Sequence, residues 1–188
     1  IVNNDTELTK YVTQAITLNK EHPILIDKYL DHAKEIDVDG LSDGTECVIA
    51  GIMEHIEAAG IHSGDSACVL PPFSLSEQMI SEITTATKKL AKRLNVIGLI
   101  NIQFAVKNET LYIIEVNPRA SRTVPFVSKT TGHSWANYAT KVILGQKISD
   151  LNLTDTKLDY YAVKEAVLPF NKFPQSDILL SPEMKSTG

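Results

Sequence analysis

The sequence predicts an α+β fold in which helices pack on an antiparallel sheet, and three features carry that expectation. Short β-branched runs joined by tight turns cluster between residues 24 and 53, a long amphipathic stripe follows Ser74, and a hairpin pattern runs from Leu99 to Val116. Strands that succeed one another through short turns pair antiparallel, whereas parallel strands need long crossovers. The 188 residues, 43% hydrophobic and 22% charged, suit one domain with a sizeable core and exclude a disordered chain. A net charge of -5 argues against nucleic acid as partner, without excluding a local basic pocket for phosphate. No apolar run approaches the roughly 20 residues that a membrane helix needs, and there is no signal-peptide pattern, so no membrane partner is expected and the location reads as cytoplasmic.

Each element has a local reason. Leu8, Tyr11, Val12, Ala15 and Ile16 share a helical face over Asn4 to Leu18, with Asn4 three residues before Glu7 as in a capping box. Pro23 opens a short apolar strand, Ile24-Leu25-Ile26. In Glu35-Ile36-Asp37-Val38-Asp39, acids alternate with β-branched residues, as in a strand with one wet face, and Ser42-Asp43-Gly44 turns into a third strand, Cys47 to Met53. Glu54 to Ser66 reads as a shaped loop, closed by Pro71-Pro72. Ser74, with Glu77 three places on, is expected to cap a helix whose stripe is Ile80, Ile83, Thr87, Leu90, Ala91 and Leu94. In the hairpin, Ile100, Ile102, Phe104 and Val106 take one face, Asn101, Gln103 and Ala105 the other, and Lys107 to Thr110 turns into Leu111 to Val116. A polar, Arg-bearing stretch then leads to a helix from Ser134 to Leu144 that Gly145 ends, and Tyr161 to Leu168 is a candidate strand.

Cys47 and Cys68 read as two buried, reduced thiols. His22, His32, His55 and His133 lack metal-ligand spacing and read as structural or exposed.

Chemistry concentrates in Ile113-Ile114-Glu115-Val116-Asn117-Pro118-Arg119. Alternation puts Glu115, Asn117 and, by the same count, Arg119 on one side of the strand, with Ile114 and Val116 serving the other. A carboxylate and an amide oxygen are hard ligands of the kind Mg²⁺ prefers, and an Arg beside them can hold a phosphate bidentately. Gln103 on the partner strand adds an oxygen, so the group resembles a bed for two divalent ions that bridge phosphates. Glu-x-Asn alone is equally what an ordinary wet hairpin face looks like; Gln103, Pro118, Arg119 and Arg122 are what weigh against that.

Three stretches, Ile52 to Ser66 (IMEHIEAAGIHSGDS), Asn101 to Val106 (NIQFAV) and Glu115 to Phe126 (EVNPRASRTVPF), resemble the ATP-grasp domain of the carbamoyl phosphate synthetase large chain, and the likeness runs over essentially all 188 residues. Glu57-Ala58-Ala59-Gly60, Thr123-Val124-Pro125-Phe126 and Val163-Lys164-Glu165 are similar to the second of that chain's two synthetase halves, which phosphorylates carbamate. The resemblance implies an ATP-grasp fold, mainly its C-terminal subdomain. It also implies ATP-dependent formation of carbamoyl phosphate for pyrimidine and arginine biosynthesis, with ATP, two Mg²⁺ or Mn²⁺ ions and K⁺ as cofactors and a glutaminase small subunit as partner of the large chain. Gln103, Glu115 and Asn117 are the implied metal ligands. Arg119 and Arg122 are implied to contact the phosphoryl group or carbamate, with Lys28 to Leu30 along adenine, Glu35 on the ribose hydroxyls, and Gly60, Ile61, His62 and Ser63 lining the nucleotide cleft. From the residues alone, Glu35 belongs to a solvated acidic row with Asp37 and Asp39, and His62 between two glycines reads equally as a loop histidine satisfied by a carbonyl.

The expected organisation is an ATP-grasp portion over residues 1–145 and an extension over 146–188. The start at Ile1 and the stop at Gly188 suggest an excised piece, and no glycine-rich run in the first 50 residues supplies the loop that covers phosphates in this fold. Such a piece is expected to bind nucleotide weakly and to turn over negligibly. The competing readings are another ATP-grasp carboxylate ligase, biotin-carboxylase-like, and a non-catalytic nucleotide-binding module.

Overall fold

A computed structural model describes residues 2–18, 23–175 and 177–187. Ile1, His22 and Gly188, on which the sequence placed expectations, lie outside them. The chain divides into two compact units, Ile1–Asp31 and His32–Gly188.

The first unit holds α1, Asp5–Leu18. Its N-terminus is closed much as the sequence predicts: the Glu7 N–H donates to Asn4 Oδ1 at 2.9 Å. The Glu7 carboxylate reaches back to the N–H of Asn3, at 2.9 Å, one residue earlier than in a capping box. The strand expected at Ile24-Leu25-Ile26 does not form, and residues 23–30 have no regular structure. An apolar run makes a strand only where a neighbour takes up its backbone groups. None pairs with it in the described ladders, and Leu25 is 83% exposed.

The second unit is a six-stranded antiparallel sheet with helices on both faces. Its strands are β1 (Lys34–Asp43), β2 (Cys47–His55), β3 (Cys68–Leu70), β4 (Ile97–Lys107), β5 (Thr110–Asn117) and β6 (Ala162–Lys164), in the order β5-β4-β1-β2-β3-β6. β3 and the short β6 extend the sheet where the sequence reading placed a closing Pro-Pro and a longer strand. The predicted hairpin is present, its two-residue turn carrying φ of 50° at Asn108 and 55° at Glu109, as a tight hairpin of this twist requires.

α2 (Glu77–Arg93) covers one face through Met79, Ile83 and Ala91, packed on Ile36, Val38, Ile100, Ile102 and Phe104. Its cap is Ser76, which accepts from the Met79 N–H, and not Ser74. Ser74 is instead bound to Glu54. α3 (Val124–Thr131) and α4 (Trp135–Ile143) cover part of the other face, with Trp135 buried against Leu41, Leu99 and Met53. α3 lies in the stretch read as polar and Arg-bearing, to which the sequence pattern assigns no element. Cys68 is buried and Cys47 only half-buried, both unpaired.

Two bulges adjust the pattern. Between Asp39 and Gly40 the register skips Ala50 on β2, so Val48 and Met53 serve the same face although five residues apart. The backbone of Ile49, beside this bulge, is bonded from outside the sheet by the Asp155 carboxylate at 2.8 Å and the Thr156 N–H at 3.0 Å. On β5 the register skips Ile114, which is half exposed, so of the two residues expected to serve the core only Val116 packs there. No helix among the described residues is long and apolar enough to cross a membrane.

Candidate active site

α3 and α4 cover only the end of their face where Leu41, Val48 and Leu99 lie. Beyond them the same parity on β1, β4 and β5 delivers Asp37, Asp39, Asn101, Gln103, Glu115 and Asn117 to one surface. Gln103 is the direct Cα partner of Glu115 and of Asp37, and Asn101 of Asn117 and of Asp39. The face expected to be wet is therefore the floor of a cleft, and its acids are buried: Asp37 is 3% and Asp39 1% exposed. β1 is central, flanked by β2 and β4, so the alternation of acids marks a polar site and not a solvated edge.

The cleft encloses about 940 Å³. Its floor is Asp37, Asn101, Gln103 and Glu115; the segment after β5 contributes Arg119 to Thr123, and the loop between β2 and β3 contributes His62, Ser63 and Gly64. Gln103 Nε2 donates to Ser63 Oγ at 3.0 Å, and Asn117 Nδ2 to Glu115 Oε1 at 2.8 Å. Arg119 is exposed; its guanidinium donates to the neighbouring Ala120 carbonyl at 3.0 Å and its backbone N–H to the Asn117 carbonyl, while Arg122 is also exposed. His62 Nδ1 accepts from the Gly64 N–H at 3.0 Å, so the satisfied ring atom is held by an N–H and not by a carbonyl.

Lys164, Met184, Ser186 and Thr187 line the opposite wall, and sequence reasoning gave them no role in the site. They arrive there because the Asp65 carboxylate takes the N–H groups of Lys185 and Ser186, each at 2.8 Å, while the Ser186 hydroxyl donates to the Gly64 carbonyl. The signal available was an Asp beside a glycine loop, which does not name its partner 120 residues away. Asp37, Asn101, Ser121 and Thr123 were also missed as lining residues.

Asn117, although on the same face, is not among the cleft's lining residues, and neither are Glu35, Gly60 and Ile61. Glu35 Oε1 accepts from the Gly60 N–H at 3.1 Å, and its other oxygen lies 3.3 Å from His55 Nδ1, too far off line for a hydrogen bond. His55 is buried. Burial alone would lower its pKa, yet Cys68, Glu35 and Asp37 overcome that and raise it to about 10. Burial and the neighbouring Asp39 push Asp37 up to about 7, against the opposing pull of His55, Asn101 and Lys164. Lys28, exposed, and Leu30, half-buried, belong to the first unit.

A divalent ion fits this donor set. Among the described residues there is no cluster of three or more His, Cys, Asp and Glu of the kind that zinc prefers. One carboxylate with amide oxygens, all hard, suits Mg²⁺, an ion that completes its shell with water and phosphate. Gln103 and Asn117 each commit the amide nitrogen to a protein acceptor, and no hydrogen bond among the described residues reaches Gln103 Oε1 or Asn117 Oδ1.

An antiparallel sheet with helices on both faces and an oxygen-rich hairpin over an open cleft is the ATP-grasp fold. The biotin carboxylase domain of a thermophilic 2-oxoglutarate carboxylase bound to bicarbonate superposes with a TM-score of 0.72 at 18% identity, covering 91% of this chain and 40% of that one. The biotin carboxylase domain of a single-chain bacterial carboxylase gives 0.67 at 14% identity, covering 86% and 43%. Residues 1–151 match the family described as carbamoyl-phosphate synthase L chain, ATP binding domain, and the chain belongs to that family. The carbamoyl phosphate synthase large chain of Archaeoglobus fulgidus is 58% identical over 189 residues, and that of Methanoculleus marisnigri 54% over 188. Both alignments take in all of this chain, which spans 18% of the length of either relative.

Proposed function

We propose that this chain supplies the metal- and base-binding part of a carbamoyl phosphate synthetase, in the half that phosphorylates carbamate. The observation that supports this reading is the pairing of Gln103 with Glu115 and of Asn101 with Asn117 across β4 and β5, which brings carboxylate and amide side chains of two strands to one face. Gln103, Glu115 and Asn117 are the oxygens that would hold two Mg²⁺ or Mn²⁺ ions. Bound there, the ions would neutralise charge on the β- and γ-phosphates of ATP.

The protein's share of such a reaction is positioning and charge. A carbamate oxygen attacks the γ-phosphorus, the bond from phosphorus to the ADP oxygen breaks, and carbamoyl phosphate and ADP result. Arg119, whose guanidinium donates to one backbone carbonyl among the described residues, would contact the transferring phosphoryl group or carbamate, with Arg122 beside it on the same segment. His62 and Ser63 line the nucleotide cleft, Gly60 and Ile61 lead into it, Glu35 takes the ribose hydroxyls, and Lys28 and Leu30 serve adenine. K⁺, a glutaminase small subunit that delivers ammonia, and a cytoplasmic setting complete the reading for the large chain, in which residues 1–145 form the ATP-grasp portion and 146–188 its extension. Because the first 50 residues hold no glycine-rich run, the 188-residue chain by itself should bind nucleotide weakly and turn it over negligibly.

The deciding experiment grafts these 188 residues into the matching stretch of the Archaeoglobus fulgidus large chain and follows carbamoyl phosphate formation from ATP and carbamate. Activity near that of the parent, lost on Glu115→Gln, is expected. A folded hybrid that binds ATP but makes no carbamoyl phosphate overturns the reading.

A further inference from the structure

We propose that Asp37 and Asp39 act through Asn101 as positioning residues, fixing which end of the Asn117 amide is turned outward. The inference rests on reading Asn117 as an oxygen ligand, and it explains how that oxygen comes to be presented. The two ends of a side-chain amide have nearly the same shape and differ in that one donates and the other accepts. Something has to choose between them.

The choice starts in the core. Asp39 Oδ2 is taken by the Thr123 hydroxyl at 2.6 Å, which leaves Oδ1 to be satisfied. Asp39 Oδ1, at 3.0 Å, and Asp37 Oδ1 both face Asn101 Nδ2. A carboxylate oxygen accepts, and so does the carbonyl oxygen of an acid that carries its proton on its other oxygen, so the NH₂ end of Asn101 serves both and commits both of its hydrogens. The Asn101 oxygen is thereby turned to β5, where Asn117 is its cross-strand partner and donates from Nδ2 at 3.5 Å. The second hydrogen on that nitrogen goes to Glu115 Oε1 at 2.8 Å. With the nitrogen of a planar group held on that side, Asn117 Oδ1 points the other way.

Reversing the Asn117 amide would set its oxygen against two acceptors, the Asn101 oxygen and the Glu115 carboxylate. Two buried acids on adjacent outward positions of β1 thus write their polarity through one amide onto another, two strands from β1. An apolar pair at 37 and 39 would fill the same space and leave both amides free to turn.

The test is read first without any metal. In the ¹⁵N NMR spectrum of the 188-residue chain, the Asn117 side-chain NH₂ should exchange with solvent at least about tenfold more slowly than that of Asn108, which is exposed on the hairpin turn. Equal exchange in the wild-type chain overturns the relay with no variant needed. Asn101→Leu should lower the protection measurably, leaving what the Glu115 bond supplies, and raise the Kd for Mn²⁺ in the presence of ATP by about tenfold, the usual scale for hydrogen-bond partners of metal ligands. ATP affinity in EDTA should not move. The triple variant Asp37→Asn, Asp39→Asn, Asn101→Asp inverts every polarity yet still offers Asn117 an acceptor, and it should restore Mn²⁺ affinity to within about twofold. An Asn101→Leu chain that keeps both the protection and the wild-type Kd overturns the proposal. A protected Asn117 in a wild-type chain that binds no Mn²⁺ with ATP supports the relay while removing the metal-site reading.

Discussion

Glu54 and Ser74 are joined at both backbone and side chain: Glu54 Oε2 accepts from the Ser74 N–H at 2.8 Å, and the Ser74 hydroxyl donates to Oε1. The Phe73 N–H adds a third bond, at 2.9 Å, to a carboxylate only 2% exposed. The acid of β2 therefore stands in for the missing backbone partners of the turn that feeds α2. Glu54→Ala should cost about 3 kcal/mol, because it removes three bonds to a charged acceptor and leaves a void, and Glu54→Gln about 1 kcal/mol. Urea unfolding of the three chains measures both, and equal midpoints would show that the turn holds without the carboxylate.

Glu115 makes the opposite case. Its side chain is exposed and, among the described residues, accepts a hydrogen bond from the Asn117 amide alone, so Glu115→Gln should leave stability within about 0.5 kcal/mol of wild type. Its loss as a metal oxygen should nonetheless weaken Mg²⁺-dependent ATP binding by at least about tenfold, read by calorimetry with and without EDTA. A chain in which stability falls and Mg²⁺ dependence survives would make Glu115 a structural residue.

Gly98 shows where the backbone disfavours a side chain. Its φ is +113°, and an added Cβ would lie 3.2 and 3.3 Å from two atoms of Ile143 on α4. Gly98→Ala therefore combines a disfavoured backbone with crowding at the packed end of the sheet, and a loss of about 2 kcal/mol is expected on thermal or urea unfolding. Gly132→Ala, with φ of +72° and nothing within 4 Å of the added atom, isolates the backbone part of that cost.

The hairpin could be read from the sequence because its period of two runs unbroken from Ile100 to Val106, and its turn residues tolerate positive φ. That pattern alone puts Gln103 and Glu115 on one face. The acids of β1 misled because alternation reports only that one face is polar; whether water or a cleft meets that face depends on β2 and β4 lying on either side. α3 was hidden by its composition, since Val124, Pro125, Thr130 and Thr131 are weak helix formers and Val124 and Val127 are held by burial against the sheet. The cap of α2 was placed two residues early because Ser74 and Ser76 are equally good caps in isolation, and only Glu54, twenty residues upstream, claims one of them. The wall formed by Met184, Ser186 and Thr187 depends on the bonds from Asp65, a contact with no local signature.

Asp37 and His55 give the fold a pH dependence whose sign follows from their shifts. Asp37 is raised from 3.8 to about 7 by burial and by Asp39. His55, despite burial, is raised from 6.5 to about 10 by Cys68, Glu35 and Asp37. In both cases the folded state holds the proton more tightly than the unfolded chain, so stability falls as pH rises. The Asp37 contribution is complete below pH 3.8 and is lost as pH climbs through about 7; the His55 contribution is complete below 6.5 and is lost through about 10. Unfolding free energies measured in urea should therefore drop by about 2 kcal/mol or more between pH 5 and pH 9. Asp37→Asn should flatten the part of the curve below neutrality and His55→Gln the part above it. A wild-type profile that stays level from pH 5 to 9 would mean that neither proton is held in the core.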